Sequence, residues 1–287
     1  MNGVLYIVAT PIGNLEDISL RAIATLKAVN LIAAEDTRHS KQLLNHLGVD
    51  TPMLSCHEHN ENARSVEILE QLAAGHDVAL ISDAGTPLIS DPGYRLVCAA
   101  RQRGIRVSPI PGANSAIAAL SAAGLPTERF HFVGFLSSRA TERGKQLQAL
   151  TGLPGTLVIF ESSHRIERLL EQAALVFPQS PCVLAKELTK LHEQFLLGSP
   201  SELLQRFEQD SKLRKGEFVL LIDNSAPKGD VGLDDDDISM LRVLLDEVSV
   251  KMAVKIAVRL TGKKKNEIYQ QALRLREQNT PEIDADI

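Results

Sequence analysis

Short apolar runs alternate along the chain with segments whose apolar residues recur every three or four positions. The runs fall at 4–9, 31–34, 78–81, 107–110, 132–135, 157–160, 183–185, 195–197 and 218–222. Helical spacing lies between them at 19–28 (Leu20, Ile23, Ala24, Leu26), 62–74 and 163–176. Strands apolar on both faces, each followed by a helix, predict an α/β protein with a largely parallel sheet. Around 195–197 and 218–222 the helical segments thin out, and antiparallel strands are expected there.

Turn formers divide this pattern. Gly124-Leu125-Pro126-Thr127 closes one helix and opens a new strand series, and 224–230 forms a second seam. We read two α/β domains, 1–121 and 122–226, followed by a small all-helical domain at 231–287. Asp234 to Asp237 suit the first turn of a helix, where the dipole favours negative charge, and lack the ligand spacing of a calcium loop. Ser249 reads as an N-cap and Thr261-Gly262 as a helix stop.

Charge changes the picture in one place. The 287 residues carry a net charge of −5, so the chain has no global field for nucleic acid. Between 248 and 278, however, eight Lys/Arg stand against two Glu, a local charge of +6. Lys251, Lys255 and Arg259 recur every four residues along one helix face, and Lys263, Lys264 and Lys265 follow. This is either a phosphate-backbone footprint or a solvated helix face. Aromatics are 4% of the chain and Trp is absent, which argues against a base-stacking platform. The N-terminus lacks a basic leader region and reads as a strand, and no apolar run reaches the ~20 residues of a membrane helix. A cytoplasmic protein is expected. Cys56, Cys98 and Cys182 are widely spaced and read as free thiols. His57-Glu58-His59 lacks further ligands in register, so no metal is expected.

Neither a phosphate-binding P-loop nor the glycine-rich turn of a dinucleotide fold occurs. The densest unusual segment runs from Ile81 to Tyr94, after a strand and before a helix predicted to open near Pro92 with Asp91 as its N-cap. Gly85 permits a turn and Pro87 stiffens it, leaving the N–H groups of 85–89 to face a ligand at the strand carboxyl ends. A second such loop is Ile110 to Ala116, in which Ser115 reads as an N-cap or backbone anchor.

These loops carry a resemblance. Thr10-Pro11-Ile12-Gly13-Asn14, Ser82 to Gly93 with its Gly85-Thr86-Pro87 core, and Pro111 to Ala116 resemble the successive cofactor loops of the tetrapyrrole methylase superfamily, over roughly residues 1–226. Thr86 stands where that family usually has Asp, which argues against the corrin-ring enzymes. Ala34-Glu35-Asp36-Thr37-Arg38, Ile81 to Pro87, Phe160 to Arg165 and Ala185 to Lys190 resemble one branch, which methylates the 2′-oxygen of a cytidine in 16S ribosomal RNA. The basic C-terminal helices resemble that branch's helical extension.

The resemblance implies two α/β domains with S-adenosylmethionine in the cleft between them, a homodimer, and the small ribosomal subunit or its RNA as partner. By family position, the cofactor falls to Pro11, Asp83, Gly85, Thr86, Pro87 and Ile89, with Ser115 and Ala116. Phe135, Leu136 and Phe160, at strand ends, either enclose it or serve the core. On the acceptor side, Arg38 can fork a phosphate and Asp36 orient a hydroxyl, while His164 and Arg165 open a helix that favours anions. The general base is Glu161, Asp36 or Lys186, and the residues do not order them. A small-metabolite methyltransferase and a non-enzymatic ribosome-assembly factor are the competing readings.

Overall fold

The computed structural model describes residues 2–57, 59–225, 233 and 235–278, in two compact units, 1–225 and 226–287. The first unit opens with β1 (Val4–Val8), α1 (Leu20–Ala28), β2 (Leu31–Ala34), α2 (Thr37–His46), β3 (Met53–Ser55), α3 (Glu61–Ala73), β4 (Val78–Ile81), α4 (Tyr94–Gln102) and β5 (Arg106–Ile110). After α5 (Ser115–Ala122) come β6 (Phe130–Phe135), α6 (Ala140–Leu150), β7 (Thr156–Ser162), α7 (Ile166–Val176), β8 (Cys182–Lys186), β9 (Gln194–Gly198), α8 (Pro200–Gln209) and β10 (Glu217–Asp223).

The first sheet is parallel throughout, in the order β3-β2-β4-β1-β5. Its inner strand β4, Val-Ala-Leu-Ile, is buried at every position, as a strand covered on both faces must be. Leu26 and Leu44 pack on one face, and Ile68, Leu72 and Leu96 on the other. The connection after β1 leads across β4 to β2, whereas the one after β4 leads across β1 to β5. The connections leaving these two adjacent strands therefore run in opposite directions, and between them lies the crevice in which open α/β sheets bind ligands. The three-residue edge strand β3 was not among the predicted runs.

The second sheet, β6-β7-β10-β8-β9, is mixed. Its β6–β7 pair is parallel and the other pairs are antiparallel, so the late strands run as expected. Helix α5 packs on this sheet. Ala116, Ala119, Leu120 and Ala123 lie against Val158, Val183, Val219 and Leu221, with Ile12 from the β1 loop in the same cluster. Small side chains let the helix approach closely, and this packing ties the two sheets into one unit.

The second unit holds α9 (Asp235–Glu247), α10 (Val250–Thr261) and α11 (Lys265–Gln278). Leu241, Ala253, Val254, Ala257, Ile268, Ala272 and Leu275 form its core. Gly262, in the left-handed region at φ 67°, ends α10, and Ser249 takes the N-cap position. Asp234 lies outside the described residues. Among the described residues no helix is long and apolar enough to cross a membrane, and no group of three or more His, Cys, Asp or Glu is placed to hold a metal. The His57 and His59 rings lie 6.0 Å apart, and Glu58 is outside the described residues. All three cysteines are free.

Candidate active site

The β1 and β4 loops meet beyond the carboxyl ends of their strands. Thr10 and Gly85 exchange two backbone hydrogen bonds, Thr10 N–H to Gly85 O at 2.9 Å and Gly85 N–H to Thr10 O at 3.1 Å. Gly85 has φ 82°, and a Cβ there would come within 3.3 Å of Ile12 Cγ2, so conformation and space both call for glycine. Its N–H is thus committed to the chain rather than offered to a ligand, and Ile89 N–H likewise donates to Thr86 O at 3.3 Å. The expectation that these two amides face a ligand is corrected. Leu88 (φ 74°) and Ser90 (φ 72°) follow in left-handed conformations. Non-glycine residues hold these at a cost of about 1 kcal/mol or more each, and such strain gathers at functional loops.

This loop lines a cavity of about 290 Å³, just below the usual range for small-molecule sites. Gly85, Thr86, Ile89, Ser90 and Asp91 form one wall, Asn114 and Ser115 the mouth of α5, and Phe135, Phe160, Glu161 and Phe218 the wall from the second sheet. A register shift between Phe132 and Gly134 re-aims the end of β6. Phe135 stays 55% exposed there, edge-on to Phe160 at 5.7 Å between ring centres. Seven residues singled out in the sequence therefore come together: Gly85, Thr86, Ile89, Ser115, Phe135, Phe160 and Glu161.

Others stand elsewhere. Pro11 and Asp83 line an adjoining cavity. Pro87 is buried, and Ala116 and Leu136 belong to hydrophobic clusters behind the wall. The N-cap of α5 is Asn114, whose side chain accepts from Ile117 N–H at 3.2 Å, so Ser115 is the first helical residue.

Asp91 departs most from expectation. The helix starts at Tyr94 with Gly93 as its N-cap, which leaves Asp91 in the cavity wall. Burial, with the Glu35 and Asp83 charges behind it, pushes its carboxyl up to about 6, against a hydrogen bond from Ser82. Glu35 is raised for the same reasons, burial first and Asp83 second.

The three candidate bases are held differently. Glu161 is buried, and its Oε1 accepts from Ser162 N–H at 2.8 Å and from Arg165 Nε at 2.7 Å. Its Oε2 is buried with no hydrogen-bond partner. Asp36 caps α2, accepting from Arg38 N–H at 2.8 Å and pairing with the Arg38 guanidinium at 3.2 Å, which holds its carboxyl below the usual range. Lys186 Nζ donates to Lys212 O at 3.5 Å and is absent from the cavity wall.

Of the residues assigned to RNA, Arg38 and His164 are exposed, while Arg165 is turned inward to Glu161. Lys251, Lys255, Arg259 and Lys265 are exposed on the helical unit. Lys263 pairs with Asp237, and Lys264 with Glu267 at 3.8 Å. Sequence reasoning missed Ile12, Ser90, Asn114, Leu188 and Phe218 in the wall. Apolar residues on a strand or loop carry no mark distinguishing cavity from core. The Asp-Pro-Gly run carries a signal for Asp91, but an aspartate ahead of a helix reads first as its cap.

The cavity suits a cofactor with an aromatic ring and hydrogen-bond donors: three phenyl rings line it, and a buried carboxylate oxygen beside them lacks a donor.

Residues 4–204 match the family model of Tetrapyrrole (Corrin/Porphyrin) Methylases, and residues 231–276 that of the RsmI C-terminal HTH domain. The chain is 47% identical over 273 residues to ribosomal RNA small subunit methyltransferase I of Pseudomonas aeruginosa, covering 94% of this chain and 97% of that one. It is 46% identical over 272 residues to the protein of the same name from Escherichia coli O157:H7, covering 94% and 95%. Among solved structures, a diphthine synthase matches with TM-score 0.61 at 16% identity, over 77% of this chain and 89% of that one. A uroporphyrin-III-C-methyltransferase from Thermus thermophilus matches with TM-score 0.53 at 24% identity, over 78% and 96%. At those identities the structural likeness speaks for the fold. With a family model spanning most of the first unit and relatives this similar along nearly the whole length, the chain belongs to the tetrapyrrole methylase family and, within it, to the ribosomal RNA small subunit methyltransferase I group.

Proposed function

We propose that the protein transfers a methyl group from S-adenosylmethionine to small-subunit ribosomal RNA, and that the acceptor is the 2′-oxygen of a cytidine ribose. The observation carrying this reading is the aromatic-walled cavity beyond the carboxyl ends of β1 and β4, in a chain nearly half identical to relatives named for that RNA. When bound, the cofactor supplies a methyl group already activated on a sulfonium. The chain's own tasks are to position, to exclude water and to take up a proton.

Phe135 and Phe160 offer apolar faces to the adenosine portion, and the strained loop from Thr86 to Ile89, with Ser115, shapes the remainder. Pro87, Ala116 and Leu136 act from behind by fixing those walls. A largely apolar enclosure favours a reaction in which opposite charges meet and vanish. The hydroxyl proton goes to Glu161, Asp36 or Lys186, of which Glu161 alone lines the donor cavity.

Lys251, Lys255, Arg259 and Lys263 to Lys265 contact the RNA backbone from the helical unit, with Arg38, His164 and Arg165 assigned to RNA in the first. The same reading holds the division of the first unit at residue 121, a homodimer, and a cytoplasmic site of action where small subunits are assembled.

The test is methyl transfer from labelled cofactor to small-subunit particles, followed by nuclease digestion and nucleoside analysis. Label on the ribose of a cytidine is expected. Label on a base, or none in the RNA, would overturn the proposal.

A further inference from the structure

The helical unit divides its surface between two kinds of side chain. Helix α10 ends at Gly262, in the left-handed region, and α11 begins at Lys265, so the turn joining them is Gly262-Lys263-Lys264. A short turn containing glycine is the connection of a helix-turn-helix pair, in agreement with the family model matched over 231–276. In such pairs the first helix lies across the nucleic-acid backbone and the second turns its N-terminal half to the bases. The residues follow that division. Lys251, Lys255 and Arg259 are exposed on α10, whereas the N-terminal half of α11 exposes Asn266, Tyr269 and Gln270.

Helical spacing sets these three on one face of α11, and Ile268, Ala272 and Leu275 on the opposite face are buried in the core of the unit. Tyr269 keeps 43% of its surface exposed, so core packing does not account for it. Asn266, one turn before it, and Gln270, next to it in sequence, also line an open cavity of about 420 Å³ with Gln271 and Arg274. An aromatic ring meets the face of a base, and a carboxamide pairs a donor and an acceptor with a base edge. Neither contact is addressed to a phosphate.

Charge and shape together select the occupant. Residues 248–278 carry +6 in a chain of −5, which draws a polyanion to this unit. The major groove of an RNA duplex is too deep and narrow for side chains to read, and paired bases keep their faces stacked. An exposed ring on a helix therefore finds its partner where bases are unpaired. One tyrosine serves one base, which fits a chain too poor in aromatics for a multi-base platform.

We infer that α11 reads unpaired bases of the small-subunit RNA, with Tyr269 stacked on one base and the Asn266 and Gln270 amides bonded to the edge of that base or its neighbour. The inference rests on the RNA reading above and extends it, because the helical unit then selects where on the RNA the protein settles.

Filter binding by the full-length protein tests it, with small-subunit ribosomal RNA and a fully paired RNA duplex as probes. Tyr269→Ala is expected to weaken binding to the ribosomal RNA by about five- to a hundredfold at fixed salt, the usual worth of one stacked base, and Tyr269→Phe to stay within about twofold of wild type. Asn266→Ala combined with Gln270→Ala is expected to cost about tenfold. None of these changes removes a charge, so the slope of log affinity against log salt and the affinity for the duplex should match wild type. Melting temperatures should match as well, since all three side chains are exposed; should Tyr269→Ala lower its own, the amide variant decides. Wild-type affinity in both variants, or an equal loss on the duplex, would overturn the assignment. Wild-type protein that binds the RNA but transfers no methyl group would instead sink the methyl-transfer reading, so the two failures are distinguishable.

Discussion

Arg165 reaches back one turn to Glu161, setting Nε and Nη2 each 2.7 Å from Oε1 and leaving Oε2 of the same carboxylate buried without a partner. The arginine fixes the orientation of the group, and if Glu161 is the general base the free oxygen is the one that takes the proton. Glu161→Gln is expected to lower kcat at saturating cofactor by about 100-fold or more, the usual worth of a positioned base. The Kd of S-adenosylhomocysteine should stay within about tenfold. Asp36→Asn and Lys186→Met, whose groups lie outside the donor cavity wall, should lose far less. Three near-normal rates would remove side-chain base catalysis from the mechanism. Glu161→Ala, which strips Arg165 of its partner, should also cost about 2 kcal/mol in urea denaturation.

The β1 loop lies against the turn after β8 with no room to spare. A Cβ on Gly13 would come within 2.7 Å of Leu188 O and 2.8 Å of Thr189 Oγ1, and Asn14 N–H donates to that same hydroxyl at 3.0 Å. The 187–190 turn is itself set by Glu187 (φ 51°) and Thr189 (φ 62°) and by the pairing of Lys190 with Glu187 and Glu217, so it yields little. Gly13→Ala should therefore destabilise by about 2 kcal/mol, the range of forced overpacking. Because Ile12 and Leu188 both line the donor cavity, S-adenosylhomocysteine affinity should fall as well. Denaturation midpoints and calorimetric Kd values check both; unchanged stability would mean that the two loops part freely.

The sequence was most legible where burial is continuous. Strands β4 and β8 are apolar at nearly every position because both faces are covered, and that alone marks them. Strand β3 escaped because its three residues, at a sheet edge, are all half-buried and sit among turn formers. The alanines of α5 mark a close-packed helix but not which sheet it meets, since that depends on contacts with residues far along the chain, from Val158 to Leu221. Gly85 and Thr86 could be placed in the site because their loop leaves the carboxyl end of β4, a position set by topology, and Phe160 because it lies toward the end of β7. Asp91 could not, because an aspartate ahead of a helix ordinarily caps it, and the extra two residues to Gly93 show only in the backbone.

Asp91 makes stability depend on pH in a definite direction. With its carboxyl raised from the ordinary 3.8 to about 6, the folded protein holds the proton more tightly than the unfolded chain does. Its favourable contribution is present in full below pH 3.8 and is lost as pH rises through 6. Asp91→Asn never acquires the buried charge. Relative to wild type, its melting temperature should be higher by about 2–4 °C at neutral pH and indistinguishable in acid. Scanning calorimetry of both proteins across that interval measures the difference. A constant offset at every pH would assign the effect to packing rather than to the charge.

Lys251, Lys255 and Arg259 stand exposed along α10, while Ala253, Val254 and Ala257 on its other face pack into the helical core. Replacing the three cations with Gln should therefore leave that core, and the melting temperature, intact. If they lie along an RNA backbone, each contact releases about 0.7 of a counterion for single-stranded RNA, so the slope of log affinity against log salt should flatten by about 2. The loss of binding should be large at low salt and shrink as salt rises, whereas a merely solvated helix face would give two parallel lines close together. Filter binding of small-subunit RNA over about 50–300 mM salt separates these outcomes. Parallel lines would move the RNA footprint off α10 and leave Lys265 and the loops of the first unit to account for it.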